Sequence, residues 1–154
     1  MDFPATIGAG LIAGGIMTAV LYKGIFMMPG QMKMNLLYLL GRMMLGERVM
    51  IYLGGAMVHA MMSVAFALAH VGLYQAFDLE TSLAAWGVLF GFGHYLISGM
   101  GLGMMPMMHP MVRSGRLQNP GLFSMGYPAA TAMGFLMLHL LFGVLVGTFY
   151  EVLI

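Results

Sequence analysis

The sequence predicts an all-α fold, a polytopic membrane four-helix bundle. Apolar residues make up 61% of the 154 and charged residues only 7%, whereas a soluble domain carries about a quarter charged residues. Four apolar segments, at about 6–28, 50–77, 83–105 and 126–153, are each long enough to cross a hydrocarbon layer of about 30 Å. Because backbone groups find no water in lipid, each segment must be a helix. We therefore expect a single transmembrane domain over residues 1–154.

The ends and connections of these helices carry recognisable signals. Pro4 sits where a first helical turn tolerates proline, and Pro106 cannot continue the hydrogen bonds of the third helix. Between the first two spans, "NLLYLLGRMMLGER" is too apolar for a free loop, so we predict a short helix in the headgroup region, capped by Asn35 with Arg42 reaching water. The other long connection, "MVRSGRLQNPGLFSMGYP", is typical of an irregular surface loop.

The distribution of charge predicts the orientation in the membrane. All six basic residues lie in or near the first and third connections: Lys23, Lys33, Arg42, Arg48, Arg113 and Arg116. Apart from Glu47, the acids lie at the opposite ends of the helices, at Asp2, Asp78, Glu80 and Glu151. The positive-inside bias places both long connections in the cytoplasm and both termini outside. A net charge of +1 offers no basic footprint, so no nucleic-acid partner is expected.

The chain contains an internal repeat, with halves at about 1–80 and 81–154. A shift of 77 positions places Gly10, Gly14 and Gly24 on Gly87, Gly91 and Gly101, together with the shared Met-Met-Pro helix end. A shift of 80 places Gly54, Met57 and His59 on Gly134, Met137 and His139. Two-span units keep their orientation when duplicated, so we expect two tandem hairpins related by a pseudo-twofold axis along the membrane normal.

Glycines at i and i+4 predict how the helices pack. The pairs are Gly10 with Gly14, Gly87 with Gly91, and Gly143 with Gly147. Small residues on one helix face let backbones approach where lipid gives no hydrophobic drive for association. We expect these faces either to pack helices within the bundle or to form the contact in a homo-oligomer or with another membrane subunit.

Histidines within the spans are the candidate cofactor ligands, because an ionisable group in a membrane is costly. His59 and His139 are repeat-equivalent, and His94 falls at a similar depth. If the second and fourth helices face each other, His59 and His139 could hold one haem b, or join His94 on a metal. Two alternatives remain: hydrogen bonds between neighbouring helices, or contact with a quinone or lipid in a groove between the second and fourth helices.

The 21 methionines raise copper as a further alternative, because thioethers favour Cu(I). The candidate ligands are Met17, the counterpart of His94, with Met104, Met108 and His109. Further candidates are Met32, Met34, Met105 and Met107. Two observations argue against a copper site. Most of these residues are expected on the cytoplasmic side, and methionine also fills gaps in any protein core.

The segments "GLIAGGIMTAV", "GFGHYLISGMGLGMMPMMHP", "NPGLF" and "GFLMLHLLFGVLVGTFY" resemble an uncharacterised prokaryotic family of short four-span membrane proteins. The resemblance covers nearly the whole chain, and its most specific part runs from His94 to His109, followed by His139. It implies membrane location and a four-helix fold, and we expect a prokaryotic inner membrane. The family supplies no activity that could be carried over to this chain.

The sequence predicts no enzyme. No Ser or Thr has a His and an acid nearby in sequence, and the acids lie at the helix ends, so a proton or ion path is not expected. We expect a small accessory or scaffold subunit that packs against itself or in a larger membrane complex, for example a respiratory, photosynthetic or membrane-oxygenase complex. The alternative is a membrane protein that binds haem b, or else copper, through its paired histidines.

Overall fold

A computed structural model describes residues 1–43 and 48–154. The helices are α1 (Phe3–Met27), α2 (Leu36–Gly41), α3 (Arg48–Ala76), α4 (Leu83–Gly103), α5 (Met105–Met108), α6 (Pro110–Arg113) and α7 (Ala129–Leu153), with a 3-10 turn at Leu122–Ser124. The described residues contain no strand, and α1, α3, α4 and α7 are long and apolar enough to cross a membrane. The predicted all-α four-helix bundle is confirmed.

Side chains at the helix ends explain where the helices begin. The Asp2 carboxylate accepts a hydrogen bond of 2.8 Å from the Ala5 N–H at the start of α1. Asn35 caps α2 as predicted, because its Oδ1 accepts from the Tyr38 N–H at 3.1 Å. Pro106 lies in the first turn of α5, immediately after α4 ends. The Asp2 and Asn35 side chains each satisfy an amide that has no partner inside its helix.

The four long helices form an arc rather than a closed square. Helix α7 packs along both α1 and α4, and α3 packs along α1. Helix α3 touches α4 and α7 at only a few points. The expected pseudo-twofold axis would make the α3–α4 contact as extensive as the α1–α7 contact, so that expectation is wrong for the packing between the two halves. Nor do α3 and α7, the second and fourth spans, face each other along their lengths.

Inside each half, equivalent positions make the helix contact. A Cβ on Gly10 would lie 3.0 Å from the Ser63 carbonyl oxygen on α3, and Gly14 also packs against Ser63. In the second half, Gly87 packs against Gly143, which is the counterpart of Ser63. The remaining predicted glycines extend the same α4–α7 contact: Gly91 lies against His139 and Gly147 against Leu83. All six glycines therefore lie at helix contacts within this chain, where only a hydrogen atom fits.

The side chain of Met32 fills the space between the two halves on one side only. A Cβ on Gly24 of α1 would lie 2.6 Å from the Met32 sulfur, and one on Gly134 of α7 would lie 2.9 Å from its methyl carbon. On the other side of the bundle, Gly101 is the counterpart of Gly24, and a Cβ there would have no described atom within 4 Å. Met32 thus adds to the α1–α7 contact, while α3 and α4 touch at only a few points.

Two further segments pack at the end of the bundle where α1 and α4 end and α3 and α7 begin. We call it the basic end, because Lys33, Arg42, Arg113 and Arg116 lie in its connections. Helix α2 lies against the first turns of α3, with Gly55 directly under the Leu37 backbone. The predicted surface loop is irregular, but its Phe123 ring rests on Gly99 of α4 and Ser124 is fully buried. This loop is part of the packed structure.

Candidate functional site

A cavity of about 380 Å³ lies between α3, α4 and α7, towards the basic end. Small-molecule sites in proteins span about 300–1,000 Å³ and are mostly apolar with a few polar groups. The cavity is lined by six methionines and three histidines among other mainly apolar residues: Met17, Leu21, Met34, Leu36, Leu40, Met43, Val58, His59, Met62, Ser63, Phe66, His94, Ile97, Ser98, Gly101, Leu102, Met105, Met108, Phe135, Leu138, His139 and Phe142. Its size and lining are those of a ligand site.

The cavity reaches the outer surface of the bundle between α3 and α4. Lining residues on both sides of this gap are also exposed: Met62 on α3 is 40% exposed, Ile97 on α4 57%, and Met108 on α5 59%. In a membrane these side chains contact acyl chains, so an apolar molecule can enter sideways. The groove expected at the seam of the second and fourth spans instead opens between the second and third, with α7 as its back wall.

Helix α2 closes the cavity at the basic end, and His109 holds α2 in place. Leu36, Leu40 and Met43 face the cavity. The fully buried His109 ring bonds the Leu39 carbonyl oxygen through Nε2 at 3.0 Å. Its Nδ1 accepts from the amides of Met111 and Val112 at 3.2 and 3.4 Å and so caps α6. Both ring nitrogens are engaged, so His109 is a structural residue here.

The structure does not assemble the predicted copper ligands into one site. Met17 and Met108 line the cavity, while Met104 does not and is exposed. His109 has no free nitrogen for a metal. The four candidates Met17, Met104, Met108 and His109 are therefore not a ligand set in this conformation.

Three of the polar groups around the cavity have atoms without a hydrogen-bond partner in the described parts of the chain. These atoms are His59 Nε2, His94 Nδ1 and Ser98 Oγ, all buried. A fourth group is Ser63, whose hydroxyl donates to the His59 carbonyl at 2.9 Å. The fifth is His139, whose Nδ1 lies 2.6 Å from the Phe135 carbonyl oxygen. Buried polar atoms are normally satisfied, so each unpaired one calls for an explanation such as a bound water or ion.

His94 lies at the centre of an aromatic cluster. Its ring stacks on Phe66 of α3 at a centroid distance of 3.6 Å and meets the His139 ring edge-on at 4.6 Å. The structure thus brings His94 and His139 into contact, and His59 lines the same cavity from α3. Among the described residues no group of three or more His, Asp or Glu side chains is placed to hold a metal ion. The predicted joining of His59, His94 and His139 on one metal is not formed.

A fourth intramembrane histidine lies outside this cavity. The His70 ring is 2% exposed, and neither of its nitrogens has a partner in the part of the chain that the structure describes. One turn further along α3, the Tyr74 hydroxyl is also buried and unpaired. Four aromatic rings meet His70 edge-on, those of Tyr74, Phe90, His94 and Phe142.

A smaller and more polar cavity of about 180 Å³ lies at the basic end. Its walls are formed by Lys33, Asn35, Tyr38, Leu39, Leu117, Gln118 and Tyr127. Burial raises the pKa of the Tyr127 phenol, so the hydroxyl stays neutral and can donate a hydrogen bond at physiological pH. This cavity is separate from the histidine-lined one, because no described residue lines both.

Sequence reasoning found the three histidines of the main cavity and missed Ser98 and Phe66. Ser98 lies four residues after His94 on α4, and Phe66 lies seven after His59 on α3, so helical spacing places each on the face of its histidine. That spacing was the available signal. Comparisons with protein-family models, curated proteins and solved structures found no match for this chain.

Proposed function

We propose that this chain is a non-catalytic integral membrane protein that binds an apolar, membrane-soluble molecule with a polar head group, of the quinone or lipid class. The observation that carries the proposal is the cavity between α3 and α4. It is open to the side, apolar over most of its wall, and lined by buried polar atoms that have no partner within residues 1–43 and 48–154.

The energetics favour a ligand that is polar at one end and apolar over the rest. Each buried polar atom left unpaired costs about 1–3 kcal/mol, and His59, His94 and Ser98 each have one. A ligand whose head group reaches these atoms would remove part of that cost. The apolar remainder of the ligand would replace acyl chains along Met62 and Ile97, at the mouth between α3 and α4.

A side chain placed in the cavity tests the proposal. Gly101 lines the cavity, with nothing within 4 Å of a Cβ built on it. Gly93, on the same helix, has the same free space but does not line the cavity. We expect Gly101→Leu to lose the small molecule that co-purifies with the wild type, as detected by mass spectrometry of an organic extract, and Gly93→Leu to keep it. Equal ligand content in the two variants would contradict the proposal, and so would a wild type with no bound molecule.

The proposal includes an orientation, with the basic end in the cytoplasm of a prokaryotic cell and both termini outside the inner membrane. It is supported by the position of the Lys and Arg residues. His59 lies about 13 Å from the start of the apolar part of α3 at 1.5 Å per residue, so the cavity would open into the cytoplasmic leaflet. The chain has no cysteine, so single cysteines at Ser114 and Thr81 can be labelled with an impermeant maleimide. In intact cells, Ser114→Cys should stay unlabelled and Thr81→Cys should be labelled. The reverse pattern would show that the chain has the opposite orientation.

An accessory role in a larger membrane assembly or a homo-oligomer is the second candidate, and a methionine-rich face of α3 favours it. Met50, Leu53, Met57 and Met61 follow one another at helical spacing and are all exposed. Flexible thioethers adapt to irregular partner surfaces. Extraction in a mild detergent followed by mass measurement should show a complex that Met57→Ser with Met61→Ser dissociates, while Met133→Ser, an equally exposed change on α7, leaves it intact. A clean monomer would exclude this role.

The alternative of haem b rests on His139, whose Nδ1 bonds a backbone carbonyl, as is typical of histidines that ligate a metal. The same purified protein decides it through its visible absorbance. A Soret band that disappears in both His59→Ala and His139→Ala would identify haem, and not the proposed apolar molecule, as the ligand. A colourless preparation without copper or iron would remove both metal alternatives.

A further inference from the structure

The hydrogen bond of His139 fixes which ring nitrogen carries its proton. Nδ1 lies 2.6 Å from the Phe135 carbonyl oxygen, and a carbonyl oxygen can only accept, so Nδ1 is the donor. A neutral imidazole has a single N–H. The other nitrogen, Nε2, is therefore a bare lone pair at the outer end of the ring, and it can only accept a hydrogen bond.

This lone pair has no partner among the residues that the structure describes. The Phe135 bond is the one hydrogen bond that the His139 ring makes within the described residues, and His139 lines the cavity. The residue is 4% exposed, so bulk water does not reach it freely. Ser98 Oγ, His59 Nε2 and His94 Nδ1 line the same cavity and are unpaired as well. The cavity wall thus contains a fixed acceptor at His139 together with three further polar atoms that have no partner among the described residues.

We infer that the cavity selects a ligand that donates a hydrogen bond, namely an apolar molecule with a hydroxyl group, such as a hydroquinone, in preference to its carbonyl counterpart. The inference rests on the proposed function and specifies its ligand class. A carbonyl oxygen placed against His139 Nε2 would bring two acceptors face to face, and both would be buried without a partner. Sites that depend on a substrate hydroxyl discriminate strongly against the analogue that lacks it.

A redox pair of one skeleton tests this preference. A benzoquinone with a ten-carbon tail and its hydroquinone differ only in whether the ring oxygens carry hydrogen. With the protein in lipid nanodiscs, and empty nanodiscs to subtract partition into lipid, we expect the hydroquinone to bind at least about tenfold more tightly. The dimethyl ether of the hydroquinone keeps the oxygens and loses both donors, so it should bind as weakly as the quinone.

Two variants locate the effect. His139→Phe should bring the two dissociation constants to within about twofold of each other, because it removes the acceptor and keeps an aromatic wall. His70→Gln changes a buried histidine outside the cavity and should keep the preference. If His139→Phe does not fold, the ether comparison on the wild type still decides the matter.

The outcomes separate this inference from the proposed function. Equal affinity for hydroquinone and quinone, or tighter binding of the quinone, would overturn the inference and leave an apolar binding site. No binding of either molecule, combined with no co-purified ligand, would overturn both.

Discussion

Replacing Gly91 by alanine tests whether α4 and α7 are held together by direct backbone contact. A Cβ at Gly91 would lie 2.6 Å from the His139 carbonyl oxygen and 3.2 Å from the Leu140 Cα. Both atoms belong to the backbone of α7, so neither can turn aside as a side chain could. The two helices would have to separate, or one of them would have to bend.

The structure sets the size of the effect. Restoring an ordinary contact of 3.4 Å requires α4 and α7 to move apart by about 0.8 Å, in a contact where packed atoms have little slack. Overpacking of this kind costs about 1–3 kcal/mol. Alanine is also about 0.5–1 kcal/mol better than glycine inside a helix, so the proper reference is another Gly→Ala change on α4. Gly93 supplies it, because a Cβ there meets nothing within 4 Å.

We therefore expect Gly91→Ala to have a free energy of unfolding about 1–3 kcal/mol below that of Gly93→Ala. The assay is loss of helical circular dichroism as sodium dodecyl sulfate replaces a mild detergent in mixed micelles. The His139 backbone would shift with α7, so ligand affinity should fall together with stability in Gly91→Ala alone. Two variants of equal stability would refute the packing argument, because they would show that the helices are not in contact at Gly91.

Three further substitutions test other parts of the structure by the same unfolding assay. His70→Leu should raise the free energy of unfolding by about 1–3 kcal/mol, because it removes two buried nitrogens without partners; a loss of stability would reveal a partner such as bound water. Asn35→Ala should lower the free energy of unfolding by about 1–2 kcal/mol, because Asn35 caps α2, accepts from the Tyr22 hydroxyl and donates to the Tyr52 hydroxyl. Asn35→Asp keeps the cap and should cost less. An equal loss in both variants would assign the effect to the bond with Tyr52. His109→Ala should lower it by about 1–3 kcal/mol and weaken ligand binding as well, because α2 closes the cavity; unchanged ligand affinity would show that α2 is held without His109.

The sequence predicted some residues of the candidate site correctly and others wrongly. Repeat symmetry and intramembrane position singled out His59, His94 and His139, and the structure places all three around one cavity. The same reasoning treated His109 as a metal ligand, although it follows the helix end and caps the next short helix. A histidine between Met108 and Pro110 gives no sign in sequence of which carbonyl it will meet, because Leu39 is 70 residues away.

The sequence alone determined the class of fold. With so few charges, most of the chain must have lipid as its solvent, and lipid allows only backbone structures that satisfy their own hydrogen bonds, so length and composition specify four helices. Tertiary structure decided which helices are neighbours. The long helices are apolar all round and show no inward face by periodicity, so the arrangement depends on contacts between distant residues. Helix α1 packs along α7, with Met32 between Gly24 and Gly134. Helices α3 and α4 touch at only a few points, and the cavity lies in the gap between them.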